Sequence, residues 1–368
     1  MRWLLPIAVV ALAGCASQPE FEAPPAEPPS TIVPVGSVSL QRVAPRVDAP
    51  ELVVEVFDRG LDGQGSGSAF GELRKAESIL LPVKLAATLV DSGSWASVRV
   101  VESPDVAVPV RVSGKILRAN GSALELAITA VAADGQLLLE KIYRDEALDS
   151  DYPVTSGGEP FADIYRAISN DLTVAAQKLD GRQRRQLARI ALIDFAARLA
   201  PQTFAAYVET DENGVRQLVS FPAEGDPMLA RLQRLRRQDY LFIDTVDEQY
   251  RDLAVRIGES YDLWRQYSRE LQLYGASYQS TAGDRPRAGR RGSFAAMQQV
   301  YGSFRKVKLT EEDLQDLVAG FAGESLETVM EVDDGVVRLR GSVTDRYAEW
   351  RGILGRIYAL ESGAPQSP

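Results

Sequence analysis

A very long helical pattern in the second half of the chain constrains the fold more than any other feature. Apolar residues recur every three or four positions over residues 227–278, which is the spacing of one helix face. An unbroken helix of this length reaches on the order of 75 Å, and Gly258 is a point where it can be interrupted. The row of apolar residues along this helix is called the seam. Other parts of the chain must cover much of it, because large exposed apolar patches drive association.

Aromatic side chains are the most distinctive residues of this helix. They are Tyr250, Tyr261, Trp264, Tyr267, Tyr274 and Tyr278. Helices predicted over 182–199 and 294–304 can cover part of the seam, but they supply about eight turns against about fourteen. We therefore expect a surface near Tyr261, Trp264 and Tyr267 to contact an envelope protein or a second copy of the chain. Packing of these rings within the chain is the alternative.

The first folded domain is predicted over residues 51–152. Strands are expected at 51–57, 97–101, 108–117, 122–132 and 137–143, with a helix over 70–90 that carries Pro82 near its start or at a kink. Asn120-Gly121 and Asp134-Gly135 are typical of hairpins closed by type I′ turns. The pattern predicts a β-α-β unit followed by a three-stranded antiparallel meander.

Four stretches of this domain resemble the amino-terminal domain of TolB and related CsgG-like periplasmic lipoprotein domains. They are Leu85-Ala-Ala-Thr-Leu89, Ser92-Gly93-Ser94-Trp95, Val112-Ser-Gly-Lys-Ile116 and Leu124-Glu-Leu-Ala-Ile128. In that family a helix ends in a small-residue turn before an aromatic residue, and a glycine-bearing strand and a hairpin follow. The resemblance implies an assembly or docking module.

A helical region over 153–304 and a small module over 305–363 complete an α+β fold. Helices are predicted at 159–179 and 181–199, and the module is predicted as α-β-β-α, with a helix at 310–322, a hairpin over 326–343 and a helix at 345–360. Residues 329–343 resemble the first half of a BON domain, with its acidic-glycine turn at Asp333-Asp334-Gly335. That family is associated with envelope and phospholipid-surface binding, but its second helix-strand unit is missing here.

The N-terminus carries a short apolar run that ends in Leu12-Ala13-Gly14-Cys15. The run is too short to span a bilayer and is typical of a signal peptide over residues 1–15. The motif resembles the lipobox of bacterial lipoproteins, which implies acylation of Cys15. Ala16 resembles the signal for the outer membrane, and the proline-rich residues 16–50 are predicted to be an extended, disordered tether. The whole arrangement resembles Gram-negative outer-membrane lipoproteins.

Histidine is absent from the 368 residues. Ser-His-Asp and Cys-His catalytic arrangements and histidine-based zinc sites are therefore excluded. The net charge of −10 argues against a nucleic-acid partner, and no metal or cofactor is expected. Carboxylate pairs and lysine bases remain available for chemistry.

A glycine-rich stretch follows the long helix and contains four arginines. They are Arg285, Arg287, Arg290 and Arg291. Guanidinium groups form bidentate hydrogen bonds to phosphate, so these residues are candidate contacts for lipid or lipopolysaccharide anions. A solvated loop is the alternative.

Three hypotheses follow for the function. The first is a non-enzymatic docking or scaffolding lipoprotein, held to the periplasmic face of the outer membrane by lipid. The second is a protein that binds the cell wall or lipid headgroups. The third is a hydrolase that works with carboxylates alone.

Overall fold

A mixed sheet of six strands is the centre of the molecule. The computed structural model describes residues 32–61, 69–102, 105–154, 158–212, 214–283, 328–332 and 335–362. The sheet has the order β1-β6-β5-β4-β2-β3. Its strands are β1 (Ile32–Pro34), β2 (Glu51–Glu55), β3 (Ser97–Val101), β4 (Val110–Ala119), β5 (Ala123–Ala132) and β6 (Leu137–Glu146). The predicted β-α-β unit and meander are confirmed, because β2 runs parallel to β3 and β4-β5-β6 is antiparallel.

The meander forms both predicted hairpins, but neither uses the type I′ turn that we expected. A type I′ turn needs positive φ at both central residues, and among the described residues only glycines have positive φ. The side-chain oxygen of Asn120 instead accepts hydrogen bonds from the backbone N–H groups of Ser122 and Ala123, at 2.9 and 2.8 Å. The carboxylate of Asp134 accepts one from Gln136 N at 3.0 Å. Side-chain acceptors therefore fix these turns.

Two helices pack on the sheet and on each other. Helix α1 (Ala69–Ser92) packs on β2 and β3, and helix α2 (Ala162–Lys178) packs on β5 and β6. Pro82 lies inside α1, where it cannot donate to the carbonyl of Ser78 four residues earlier. That carbonyl accepts the N–H of Phe57 at 2.9 Å instead. The proline thus frees a helical carbonyl that ties α1 to the end of β2.

Helix α5 (Pro227–Gly283) is one continuous element of 57 residues, so Gly258 does not interrupt it. It follows α3 (Gly181–Leu199), the four-residue α4 (Pro201–Phe204) and a small antiparallel pair, β7 (Val208–Thr210) and β8 (Arg216–Leu218). α5 contacts α1, α3 and the edge strand β3. At that edge, Asp247 accepts the N–H of Val100 at 2.8 Å, which occupies a donor that a further strand would otherwise take.

The C-terminal part packs on α5. The antiparallel strands β9 (Thr328–Val332) and β10 (Gly335–Leu339) form the predicted hairpin, and helix α6 (Val343–Ser362) follows. Trp350 of α6 is buried and stacks on Phe242 of α5, with ring centroids 6.2 Å apart. Buried residues of the sheet, α2, α3, α5 and α6 belong to one hydrophobic cluster. The described residues from Ile32 onward accordingly belong to one compact unit, which continues across the predicted boundary at 152/153.

Residues 32–50, which we expected to belong to the tether, lie on the folded unit. β1 pairs with β6, and the following residues 35–49, here called the strap, cross α2 and the end of α1. Val38 N donates to Asp163 at 3.1 Å and Gln41 N donates to Asn170 at 2.7 Å. The expected extended, unpacked chain is therefore wrong for these residues, because contacts from distant helices satisfy backbone groups that proline-rich composition alone leaves to water. Residues 16–31 lie outside the described residues.

Candidate functional site

A groove with a volume of about 1300 Å³ lies between the strap, α1, α2 and α5. Its charged lining is mixed. Basic residues come from the strap, α1 and α2, and acidic residues come from α1, the segment before α2, and α5. They are Arg42, Lys84 and Arg166 on the basic side and Asp91, Glu159, Glu259 and Asp262 on the acidic side. Val255 and Leu263 of α5 add apolar surface to the same wall and are 80% and 50% exposed.

Glu159 is the central anion of the groove floor. Its two oxygens accept hydrogen bonds from Arg265 Nη1 and Nη2, at 2.6 and 3.1 Å, from Phe161 N at 3.1 Å, and from Lys84 Nζ. Burial opposes its ionisation, but the charges of Arg265 and Lys84 outweigh burial and lower the pKa of Glu159 to about 2. The carboxylate therefore stays ionised and holds α1, α2 and α5 together.

A second buried carboxyl group, Glu77 of α1, lies behind this floor and is fully buried. It contacts Arg74 at 3.0 Å and accepts a hydrogen bond from the hydroxyl of Tyr261 at 2.9 Å. Burial outweighs the nearby charges of Arg74 and Arg265 and raises the pKa of Glu77 to about 7. The pKa values of the two carboxyl groups therefore differ because, within the described part of the chain, two cations contact Glu159 directly and one contacts Glu77.

Tyr165 of α2 is among the residues that line the groove, and its hydroxyl group is buried. The residue is 2% exposed, and among the described residues this hydroxyl has no hydrogen-bond partner. Burial, followed by the negative charge of Glu159, raises the pKa of Tyr165 well above its ordinary value. The hydroxyl thus stays protonated and keeps a proton to donate.

The three residues of the predicted contact surface on α5 differ in their exposure. Tyr261 is 2% exposed and packs against Leu73 and Leu80 of α1, so its ring offers almost no surface to a partner. Trp264 is half-buried and stacks on Tyr261 with centroids 5.6 Å apart, whereas Tyr267 is exposed. Among the described residues, the helix that packs on Tyr261 is α1, which we did not expect. The predicted helix at 294–304 lies outside the described residues.

Two other predicted sites lie outside the described residues. These are the lipidation motif Leu12-Ala13-Gly14-Cys15 and the candidate anion contacts Arg285, Arg287, Arg290 and Arg291. The predicted helix at 310–322 lies outside them as well. Within the described ranges no group of three or more acidic or cysteine side chains is placed to hold a metal ion. The described helices include none with both the length and the apolar content to span a bilayer.

The groove residues were missed by sequence reasoning because their partners are remote. Lys84 and Glu159 are 75 residues apart, and Glu159 and Arg265 are 106 apart. One signal was available, since Arg265 and Arg269 continue the buried face of α5 on which Ile257 and Tyr261 lie. A charged residue at a position of the apolar face requires a buried counter-charge.

Comparison with solved structures finds similarity over part of the chain. No protein-family profile and no curated protein matches the chain. A solved structure of a DUF330 protein from Xanthomonas campestris is similar over 42% of this chain and 98% of its own, with 14% sequence identity and a TM-score of 0.21. At that TM-score the similarity carries no argument about this protein.

Proposed function

We propose that this chain is a non-catalytic, lipid-anchored docking protein on the periplasmic face of the outer membrane, and that it binds an extended segment of another envelope protein in the groove. The groove is the observation that carries the proposal. Its volume of about 1300 Å³ exceeds the roughly 300–1,000 Å³ of small-molecule pockets. An open cleft of this size between three helices and the strap suits a length of polypeptide.

The lining of the groove supports a protein segment as its occupant. Exposed Val255 and Leu263 lie beside charged residues of both signs, and protein interfaces combine apolar surface with a polar rim. Three basic and four acidic side chains line the groove, which disfavours a polyanionic surface such as an anionic membrane. The lipobox at Cys15 supports the location, because an acylated cysteine anchors a chain that otherwise reaches the periplasm.

Site-specific photocrosslinking in cells tests this function. A photoreactive amino acid at position 255 or 263 of the full-length protein should give the same discrete adduct with one envelope protein. The matched control is position 241, because Leu241 lies on the same helix, is 57% exposed and does not line the groove. An adduct that is equally strong from position 241, or no adduct from positions 255 and 263, would contradict docking in the groove.

The anchor is tested in the same cells with Cys15→Ser. Because the thiol is the acylation site that the lipobox implies, this variant should lose palmitate labelling and leave the membrane fraction. The adduct from position 255 should weaken strongly when the protein is no longer at the membrane. Labelling that persists in Cys15→Ser would exclude Cys15 as the anchor.

A further inference from the structure

The unused charge of the groove is mainly negative, because most of its cations are occupied. Lys84 contacts Glu159, and Arg166 contacts Asp163 at 2.8 Å. Three charged lining residues have neither an ion pair nor a side-chain hydrogen bond among the described residues, and they are Arg42, Asp91 and Glu259. The groove therefore favours a cationic group of a partner over an anionic one.

Glu259 lies between two exposed apolar side chains of α5. Val255, Glu259 and Leu263 follow one another at intervals of four residues, line the groove and are all exposed. Residues four apart lie on one face of a helix, and each interval spans about 6 Å along its axis. The three side chains therefore form an apolar, acidic, apolar row that is about 12 Å long.

An extended chain has nearly the same spacing as this row. Alternate side chains of an extended chain point to the same side and lie about 6.6 Å apart, since the rise is about 3.3 Å per residue. A segment that runs along α5 can therefore place three alternate side chains against Val255, Glu259 and Leu263. The middle one of the three faces the carboxylate.

Gly258 supports a close approach of such a segment to α5. It lines the groove next to Glu259, and a Cβ atom there would meet nothing within 4 Å. Packing within the described part of the chain therefore does not require glycine, which destabilises the middle of a helix relative to alanine. A glycine is explained at this position if the backbone of a docked segment approaches α5 there.

We propose that the docked partner segment carries the pattern apolar-x-cationic-x-apolar in an extended conformation. Its Lys or Arg side chain contacts Glu259, and its apolar side chains contact Val255 and Leu263. This inference rests on the proposed function and adds the chemistry and spacing of the segment. A second copy of the chain fits less well, because its own row would bring carboxylate against carboxylate, and like charges repel.

Short peptides test the pattern on the full-length protein. The probe is Leu-Ser-Lys-Ser-Leu with blocked ends, and Leu-Ser-Glu-Ser-Leu reverses its charge. Ligand-observed NMR should show saturable binding of the lysine peptide at on the order of millimolar concentration. The glutamate peptide should bind about tenfold more weakly. Leu-Lys-Ser-Ser-Leu, whose lysine faces the other side, should bind about threefold more weakly.

Charge reversal at Glu259 should reverse this preference. Glu259→Lys should bind the glutamate peptide about tenfold more tightly than the lysine peptide, and it should keep the melting temperature because the side chain is exposed. The matched control is Glu248→Lys, since Glu248 is exposed on α5 and does not line the groove. This control should keep the preference of the parent protein.

Gly258→Leu tests the close approach to α5. The new side chain should occupy the groove and remove saturable binding of the lysine peptide. The protein should stay folded, because a Cβ atom at position 258 meets nothing within 4 Å. A folded Gly258→Leu protein that binds the peptide as the parent does would overturn the proposed position of the segment.

The adducts from positions 255 and 263 give a second readout of the same pattern. Their attachment points, located by mass spectrometry, should lie about four residues apart in the partner, with a Lys or Arg midway between them. Attachment points about eight residues apart would indicate a helical partner. Adducts between two copies of this chain would indicate self-association. Either result would overturn the proposed pattern.

Two further results would overturn the cationic pattern without affecting the adducts. They are equal binding of the lysine and glutamate peptides by the parent protein, and an unchanged preference in Glu259→Lys. Adducts from positions 255 and 263 without a peptide preference would retain docking and reject the cationic pattern. A peptide preference that depends on Glu259, without adducts, would retain the pattern and reject docking of an envelope protein.

Discussion

Glu77 and Glu159 show how the same side chain acquires opposite properties in one buried network. Both interact with the charge of Arg265, but Glu159 accepts two hydrogen bonds from that guanidinium and a third from Lys84. Among the described residues, the polar contacts of the Glu77 carboxyl group are Arg74 and the Tyr261 hydroxyl. Direct cationic contacts outweigh desolvation at Glu159, and desolvation wins at Glu77. The difference is therefore a matter of one additional ion pair.

The raised pKa of Glu77 predicts a specific dependence of stability on pH. The folded-state pKa is about 7, against 4.5 for the free group. Between these values the folded state holds a proton that the unfolded state has released, so the free energy of unfolding falls as pH rises through this window. The difference corresponds to at most about 3 kcal/mol. Glu77→Gln should remove this part of the slope, as measured by urea unfolding at pH 5 and pH 8.

The control for Glu77→Gln is Glu248→Gln, because Glu248 is exposed on α5. This variant should keep the slope of the parent protein. If the unfolding free energies of Glu77→Gln and the parent protein stay parallel between pH 5 and pH 8, Glu77 is not the group that titrates.

At the scale of elements, local patterns predicted most of the secondary structure. Period-two alternation along β5 and helical spacing along α5 are properties of a few consecutive residues, so both elements could be predicted from the sequence. The pairing of β1 with β6 could not be predicted, because Ile32 and Ile142 are 110 positions apart. The three residues of β1 are also too few to show a periodic pattern. Gly258 was expected to threaten α5, but Ile257 and Tyr261 beside it are buried, and packing outweighs helix propensity.

The groove was less predictable than the elements that form it. Tyr165 falls on the helical pattern of α2 and is indistinguishable there from any core tyrosine. That its hydroxyl has no hydrogen-bond partner among the described residues depends on long-range packing, which no local pattern shows. Arg265 was visible as a charge on an apolar face, but its partner Glu159 precedes α2 in a segment without periodicity.

Gly121 and Gly258 give opposite predictions for one helix. A Cβ atom at Gly121 would lie 1.9 Å from the carbonyl oxygen of Arg265 and 2.6 Å from Arg269 N. Gly121→Ala should therefore push the β4–β5 turn from α5 and destabilise the protein by about 1–3 kcal/mol. A Cβ at Gly258 meets nothing within 4 Å. Gly258→Ala should stabilise by about 0.5–1 kcal/mol, and thermal unfolding of the two variants measures both effects.

The opposite changes in stability distinguish a steric clash at Gly121 from a general effect of replacing glycine by alanine. If Gly121→Ala were neutral, the turn would not approach the α5 backbone as closely as the structure has it. A loss of stability in Gly258→Ala would mean that α5 is bent or interrupted at that position.

At the scale of the whole molecule, the boundary predicted after residue 152 cuts through the packing of the sheet. Helix α2 begins at Ala162 and packs on β6 through a face that includes Ile164, Ile168 and Leu172, all fully buried. Within 51–152, only α1 is left to cover the sheet. β6 would also lose its pairing with β1. The boundary predicted after residue 152 therefore separates α2 from the sheet on which it packs.

Leu172 and Val174 of α2 distinguish a shared core from independent domains. Leu172→Asp places an unpaired charge against the sheet. It should lower the free energy of unfolding of the full-length chain by several kcal/mol, with one melting transition as in the parent protein. Val174→Asp is the control, because Val174 lies two residues away and is 43% exposed, and it should change stability by less than about 0.5 kcal/mol. The fragment 51–152 should show no cooperative transition by circular dichroism or calorimetry. A fragment that melts cooperatively near the temperature of the full-length protein would restore the boundary after residue 152. So would a Leu172→Asp protein in which part of the chain still melts at the temperature of the parent protein, since a sheet that folds without α2 would not respond to a charge on that helix.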